Sequence, residues 1–210
     1  MSTTSTRPHC RRTRHYGVTL IELMMFIVVV GIAVAGLMLV YTNTVRHSSD
    51  PLVRKQMLAV AEALLEEVEL MPFTFCDPDD ANVAAAGAAV IDAGGCAGVV
   101  DAMGPEAGET RYTPANQFDN VNDYAGFDTA NTSPSGIADI SGSVIASLGG
   151  YRAQIAASPQ PLGPAGSTIA ATDGNGAAQV LLVTVTVTAP GGDSLSLSGY
   201  RARYAPNATP

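Results

Sequence analysis

Gly17-Val18-Thr19-Leu20-Ile21-Glu22 opens the longest apolar run of this chain, which continues through residues 23–41 without another charge. As a helix, residues 18–41 would extend about 36 Å, enough to cross a bilayer core of about 30 Å. The one carboxylate, Glu22, lies just inside the start of that stretch. Burying it in lipid would cost roughly 3 kcal/mol or more, so a charge kept at that depth calls for a partner. Gly31 and Gly36 interrupt the run with small residues, which suit close helix packing or are simply tolerated.

Charge is unevenly placed around this segment. Arg7, Arg11, Arg12 and Arg14 precede it, whereas Arg46, Arg54, Lys55, Arg111, Arg152, Arg201 and Arg203 are scattered over the rest. The positive-inside bias puts the N-terminus in the cytoplasm and everything after Tyr41 outside. The formal net charge is −8 for the 210-residue chain, and removal of residues 1–17 would leave 7 basic against 19 acidic residues, a net −12. That balance argues against nucleic acid as a partner, since phosphate binding needs clustered Lys and Arg. Only 14% of residues are charged, with 21 Gly, 13 Pro and no Trp, which suits a loop-rich extracytoplasmic domain. Arg11-Arg12 is followed by Thr13-Arg14-His15, without the pattern of a twin-arginine signal.

Beyond Tyr41 a polar stretch leads to Asp50-Pro51, residue types that cap and open helices. The positions Met57, Ala61, Leu64, Val68 and Met71 alternate steps of four and three, predicting an amphipathic helix that ends at Pro72 and is joined to the first with a bend near Pro51. Glu62, Glu66, Glu67 and Glu69 fall mostly off that stripe. Residues 72–149 read as irregular. Long irregular regions are usually functional or stapled. Cys76 and Cys96, the pair left once Cys10 is set aside with the basic segment, are candidates for the staple in an oxidising compartment; two free buried thiols are the alternative. Residues 150–210 read as an antiparallel sheet. A short strand is expected over 151–157, a Val/Thr-alternating one over 179–189 and a return over 195–204, the last two joined by a turn at Pro190-Gly191-Gly192-Asp193. Ser194, Ser196 and Ser198 alternate with Leu195 and Leu197, giving one wet and one buried face.

The basic segment, Gly17-Val18-Thr19-Leu20-Ile21-Glu22 and the apolar run together resemble the prepilin-type cleavage and methylation motif of type IV pilins and pseudopilins. Val18 is a departure, because most members have Phe there. Residues 45–67, Phe75-Cys76-Asp77-Pro78-Asp79-Asp80 and Phe118-Asp119-Asn120-Val121-Asn122-Asp123-Tyr124 are similar to minor prepilins of the mannose-sensitive haemagglutinin (MSHA) pilus system. The resemblance implies an α+β, pilin-like fold, with a long N-terminal helix on a small antiparallel sheet. It also implies cleavage by a prepilin peptidase between Gly17 and Val18 and N-methylation of Val18. Glu22, fifth in the processed chain, would then pair with the terminal amine of a neighbouring subunit. The domain reading is a leader at 1–17, a membrane helix at 18–41, its amphipathic continuation at 42–71, the irregular region and the sheet.

The expected function is that of a structural minor pilin, an initiator or tip component. Its partners would be the peptidase, other pilins or pseudopilins through the N-terminal helix, and an inner-membrane assembly platform. The expected location is the bacterial inner membrane, with a periplasmic C-terminal domain, and then the pilus. Two alternatives are a minor pseudopilin of type II secretion and a Sec-exported binding protein cleaved after Ala33-Val34-Ala35.

Catalysis has little support. His9 and His15 precede Gly17, His47 lies in the juxtamembrane stretch, and zinc, HExxH and phosphate-loop spacings are absent; no catalytic residue is expected. No cofactor is expected either, calcium excepted: Asp119, Asp123 and Asp128, clustered with Asn120 and Asn122, are candidate hard-oxygen ligands, and Asp77, Asp79 and Asp80 form a second cluster. Asp173-Gly174-Asn175-Gly176 resembles the opening of a calcium loop, but Thr184 stands where the closing carboxylate should be.

Overall fold

A computed structural model describes residues 17–204 and 207, with residues 43–50 described in their backbone alone. The architecture is α+β, with one long helix, α1 (Leu20–Leu70), and a three-stranded antiparallel sheet, β1 (Arg152–Pro159), β2 (Val180–Thr188) and β3 (Ser194–Ala202). Contacts divide the chain into two units, Met1–Asp50 and Pro51–Pro210. The expected helix start at Asp50-Pro51 is not found, because α1 is helical across both residues. Proline costs a helix interior about 3 kcal/mol through its missing N–H and its ring, yet its fixed φ is helical, so the turn persists. Of the expected leader, residues 1–17, Gly17 alone is among the described residues.

In the second unit the core follows from two periodicities. The helix buries Met57, Ala61, Leu64 and Val68, the expected stripe, together with Val60 and Leu65, which widen it; Met71 is half-buried. The central strand β2 contributes Leu181, Val183, Val185 and Val187 to the same core, and β1 adds Ala153 and Ile155. The register pairs Ile155 with Val185 and Val185 with Leu197, so apolar side chains share one face. On the other face the hydroxyls of Thr184 and Ser198, and of Thr186 and Ser196, lie 2.9 Å apart. The β2–β3 turn closes through Ala189 N–H to the Asp193 carbonyl at 2.8 Å, with Gly192 at φ +90°, a conformation glycine takes at little cost.

Residues 72–149 contain no strand longer than an isolated bridge, and their regular pieces are 3-10 turns at Val121–Tyr124 and Ala146–Leu148. Cys76 and Cys96 form a disulfide, their Cα atoms 5.4 Å apart. With Val83 and Ala86 they make a small second core. Asp80 holds this loop by accepting backbone N–H groups from Asn82, Ala97, Gly98 and Val99 at 2.7–2.9 Å. Those donors keep its pKa well below the ordinary 3.8.

The irregular segment is fastened to α1 by Arg111. Its Nε and NH2 groups donate to the two carboxylate oxygens of Glu67 at 2.6 Å each, and NH1 donates to the Ala138 carbonyl at 3.0 Å. The Tyr124 hydroxyl donates to Glu67 Oε1 at 2.8 Å. Burial alone would favour a neutral arginine, but Glu67 outweighs it and raises the Arg111 pKa.

Two outcomes are expected in urea titrations of the detergent-solubilised chain. Arg111→Ala leaves Glu67 without its ion-pair partner and lowers unfolding free energy by about 3 kcal/mol. The stabilisation from Asp80 is complete above about pH 4 and is lost as pH falls toward its depressed value. Asp80→Asn therefore flattens the midpoint's dependence on pH below about pH 4.

Candidate functional site

The first unit offers a segment for association. Residues 17–19 have no regular structure, and Thr19 caps α1: the Glu22 N–H donates to Thr19 Oγ1 at 3.4 Å and the Leu23 N–H to the Thr19 carbonyl at 3.1 Å. Thr19-x-x-Glu22 is thus one half of a capping box, with the Thr19 hydroxyl as acceptor, a signal that spacing alone carries. Glu22 sits in the first helical turn, where the helix dipole favours an anion. It is exposed, and among the described residues its carboxylate accepts no hydrogen bond and forms no ion pair. Val18 and Gly17 are exposed before it.

The stretch Leu20–Thr42 has 23 residues, a mean hydropathy of 2.9 and no buried residue in the window that defines it, so it is long and apolar enough to cross a membrane. Each exposed Leu, Ile, Val, Met or Phe side chain would gain roughly 1.5–3 kcal/mol on leaving water.

The second unit holds an acidic cluster that draws on distant segments. Asp77 follows the disulfide cysteine, and Asp101 follows Val100, which bridges to Cys76. Glu106 and Glu109 lie on a turn closed by the Glu109 N–H to the Glu106 carbonyl at 3.1 Å. Asp119 precedes the Asn120-capped 3-10 turn and Asp123 lies within it, where Asp123 Oδ2 accepts the N–H groups of Asp119 and Asn120 at 2.9 and 2.7 Å. These side chains form two triads, Asp77–Glu109–Asp119 and Asp101–Glu106–Asp123, each with a carboxylate oxygen from every member within a 4.8 Å span. The Glu106 N–H donates to Glu109 Oε2 at 3.2 Å, joining the two.

Three sequence candidates for calcium are therefore separated. Asp119 belongs to one triad and Asp123 to the other. Asp128 belongs to neither: it pairs with Arg152, whose Nε donates to Oδ1 at 2.9 Å, and it accepts from Ala130 N–H and Gln154 Nε2. That pairing, led by the Arg152 hydrogen bond, holds its pKa down. Asp80 serves the disulfide loop, and Asp173 Oδ1 accepts the N–H groups of Asn175 and Ala177 at 2.8 and 2.9 Å in a turn of its own.

The triads concentrate negative charge where neutralising groups are few. Among the described residues the ion pairs are Arg111–Glu67 and Arg152–Asp128, outside the cluster. Arg203 is near, but its guanidinium lies over the Phe73 and Phe75 rings at 4.1 and 4.7 Å and donates to the carbonyls of Ala178 and Thr74. Burial lowers its pKa to about 10, with Asp101 opposing. Burial, then the neighbouring Asp123, pushes Asp101 up to about 9, and burial with Asp77 pushes Asp119 up to about 6. Burial also raises Asp123 and Glu109.

Comparison with protein-family models, curated proteins and solved structures returned no match to this chain.

An arginine at the middle of the apolar stretch tests its role. Val30→Arg would cost insertion about 3 kcal/mol, and carbonate extraction of membranes should move much of the variant, but not the parent chain, into the soluble fraction.

Proposed function

We propose that this chain is a minor prepilin. A prepilin peptidase cuts it between Gly17 and Val18 and N-methylates Val18, and the processed subunit joins an MSHA-like type IV pilus as an initiator or tip component. The observation that carries the reading is an exposed, membrane-length apolar helix whose one carboxylate, Glu22, stands at its start, fifth after Gly17, without a partner among the described residues. In water that carboxylate is solvated and favoured by the helix dipole; in a bilayer it needs a cation. The new amine of a neighbouring subunit supplies one, and the paired state exists in the polymer alone. Glu22 thus sets the register between adjacent helices, while lipid or neighbouring helices cover the apolar face.

The second unit supports the same role. A disulfide-closed loop region belongs in an oxidising compartment, and an antiparallel sheet over a helix face provides a folded head outside the membrane. The role is structural rather than catalytic.

Intact mass and N-terminal sequencing of membrane-extracted protein should give an N-methylated Val18. A chain beginning at Gly36, or one retaining Met1, would overturn the processing step. Glu22→Ala should stay in the membrane fraction at parental levels but fall at least tenfold in sheared pilus fractions. Incorporation at the parental level would sink the pairing argument.

A further inference from the structure

The inner triad, Asp101–Glu106–Asp123, contains more than clustered acids. Three oxygens on buried side chains of the triad and the adjoining Asn122 have no hydrogen-bond partner among the described residues: Asp101 Oδ1, Asn122 Oδ1 and Asp123 Oδ1. Their residues are 6%, 2% and 0% exposed. Donors are present but go to the sister atoms. Asn122 Nδ2 donates to Asp101 Oδ2 at 2.7 Å, and the N–H groups of Asp119 and Asn120 both go to Asp123 Oδ2. Asn122 is not part of the acidic cluster, so its orphaned carbonyl oxygen is an independent sign that something other than a protein donor is expected there. Each unpaired buried acceptor costs roughly 1–3 kcal/mol, and native folds rarely leave neighbouring ones unsatisfied.

We propose that Asp101, Glu106 and Asp123, with the carbonyl oxygen of Asn122, form a calcium site. A cation satisfies acceptors that have no donor and offsets their mutual repulsion at once. The donor set is oxygen throughout, with no imidazole or thiolate, which selects hard cations over zinc or copper. Calcium–oxygen distances are about 2.3–2.6 Å, so two oxygens on one ion lie at most about 5 Å apart, and the carboxylate oxygens of this triad lie within 4.8 Å of one another. Magnesium, at about 2.1 Å and reluctant to lose its water, suits such a largely buried group less well. Half-buried Glu106 stands at the rim, where solvent completes the coordination and the ion enters. The ion would tie residues 101–106 to the 3-10 turn at Val121–Tyr124, joining two loops that the Cys76–Cys96 bridge does not connect. The site lies within the second unit and stands whether or not the chain enters a filament.

The test is calorimetric titration of CaCl2 into the detergent-solubilised full chain after chelator treatment, with MgCl2 as contrast and thermal unfolding in parallel. One calcium should bind per chain with a dissociation constant below about 1 mM, at least tenfold tighter than magnesium. Ten millimolar calcium should raise the unfolding midpoint by about 5 °C or more over EDTA. Asp101→Asn and Asp123→Asn should abolish the heat. Because either can disturb a buried site, Glu106→Gln at the rim is the second variant: it should weaken calcium at least tenfold while leaving the midpoint in EDTA within about 2 °C of the parent. Absence of calcium binding to the parent chain would overturn the site and leave protons as the neutralising agent. Binding that survives both Asp101→Asn and Glu106→Gln would overturn its location.

Discussion

The bidentate pair between Glu67 and Arg111 is the constraint on which the second unit depends. It crosses 44 residues of sequence and fixes an irregular segment against a helix that has no strand partner for it. Desolvating both charges is costly, and the pair is tolerable because the remaining valences are filled by Tyr124 and the Ala138 carbonyl. Tyr124 in turn stacks edge-on with Phe118, their centroids 5.0 Å apart, so the polar anchor and the apolar core lock one another.

The same logic runs through residues 72–149. A region without a sheet ladder must still satisfy its backbone N–H groups. Here aspartates do so: Asp80 takes four, Asp123 two, and Asp139 those of Ser141 and Ser143. Part of the chain's acidity is therefore internal scaffolding rather than a surface field. The inner triad differs because its spare oxygens face no donor. Identical residue types thus serve opposite ends, and only the count of donors around each one separates them.

The first unit makes the opposite demand. No residue of the window that defines Leu20–Thr42 is buried, so packing within the second unit contributes little to its helical state. Glu22 stands at the start of that stretch. Thr19 and the helix dipole make it comfortable in water, which gives the residue a local role beside the one proposed for assembly.

What the sequence determined by itself is what depends on local period and composition. The apolar run, the stripe from Met57 to Val68, the Val/Thr alternation of β2 and the turn at Pro190 were legible because a helix or strand imposes its repeat on neighbouring residues. The Cys76–Cys96 pairing was legible because few alternatives existed. Tertiary structure decided the rest. Glu67 reads as a solvent-facing position until Arg111 arrives from a segment with no periodicity. Asp119, Asp123 and Asp128 read as one group by density, yet Arg152 on β1 removes Asp128. Asp101 and Glu106 join Asp123 only after the loops are folded back. Long-range charge pairing and donor counting leave no repeat in a sequence, since they depend on which loops meet in space.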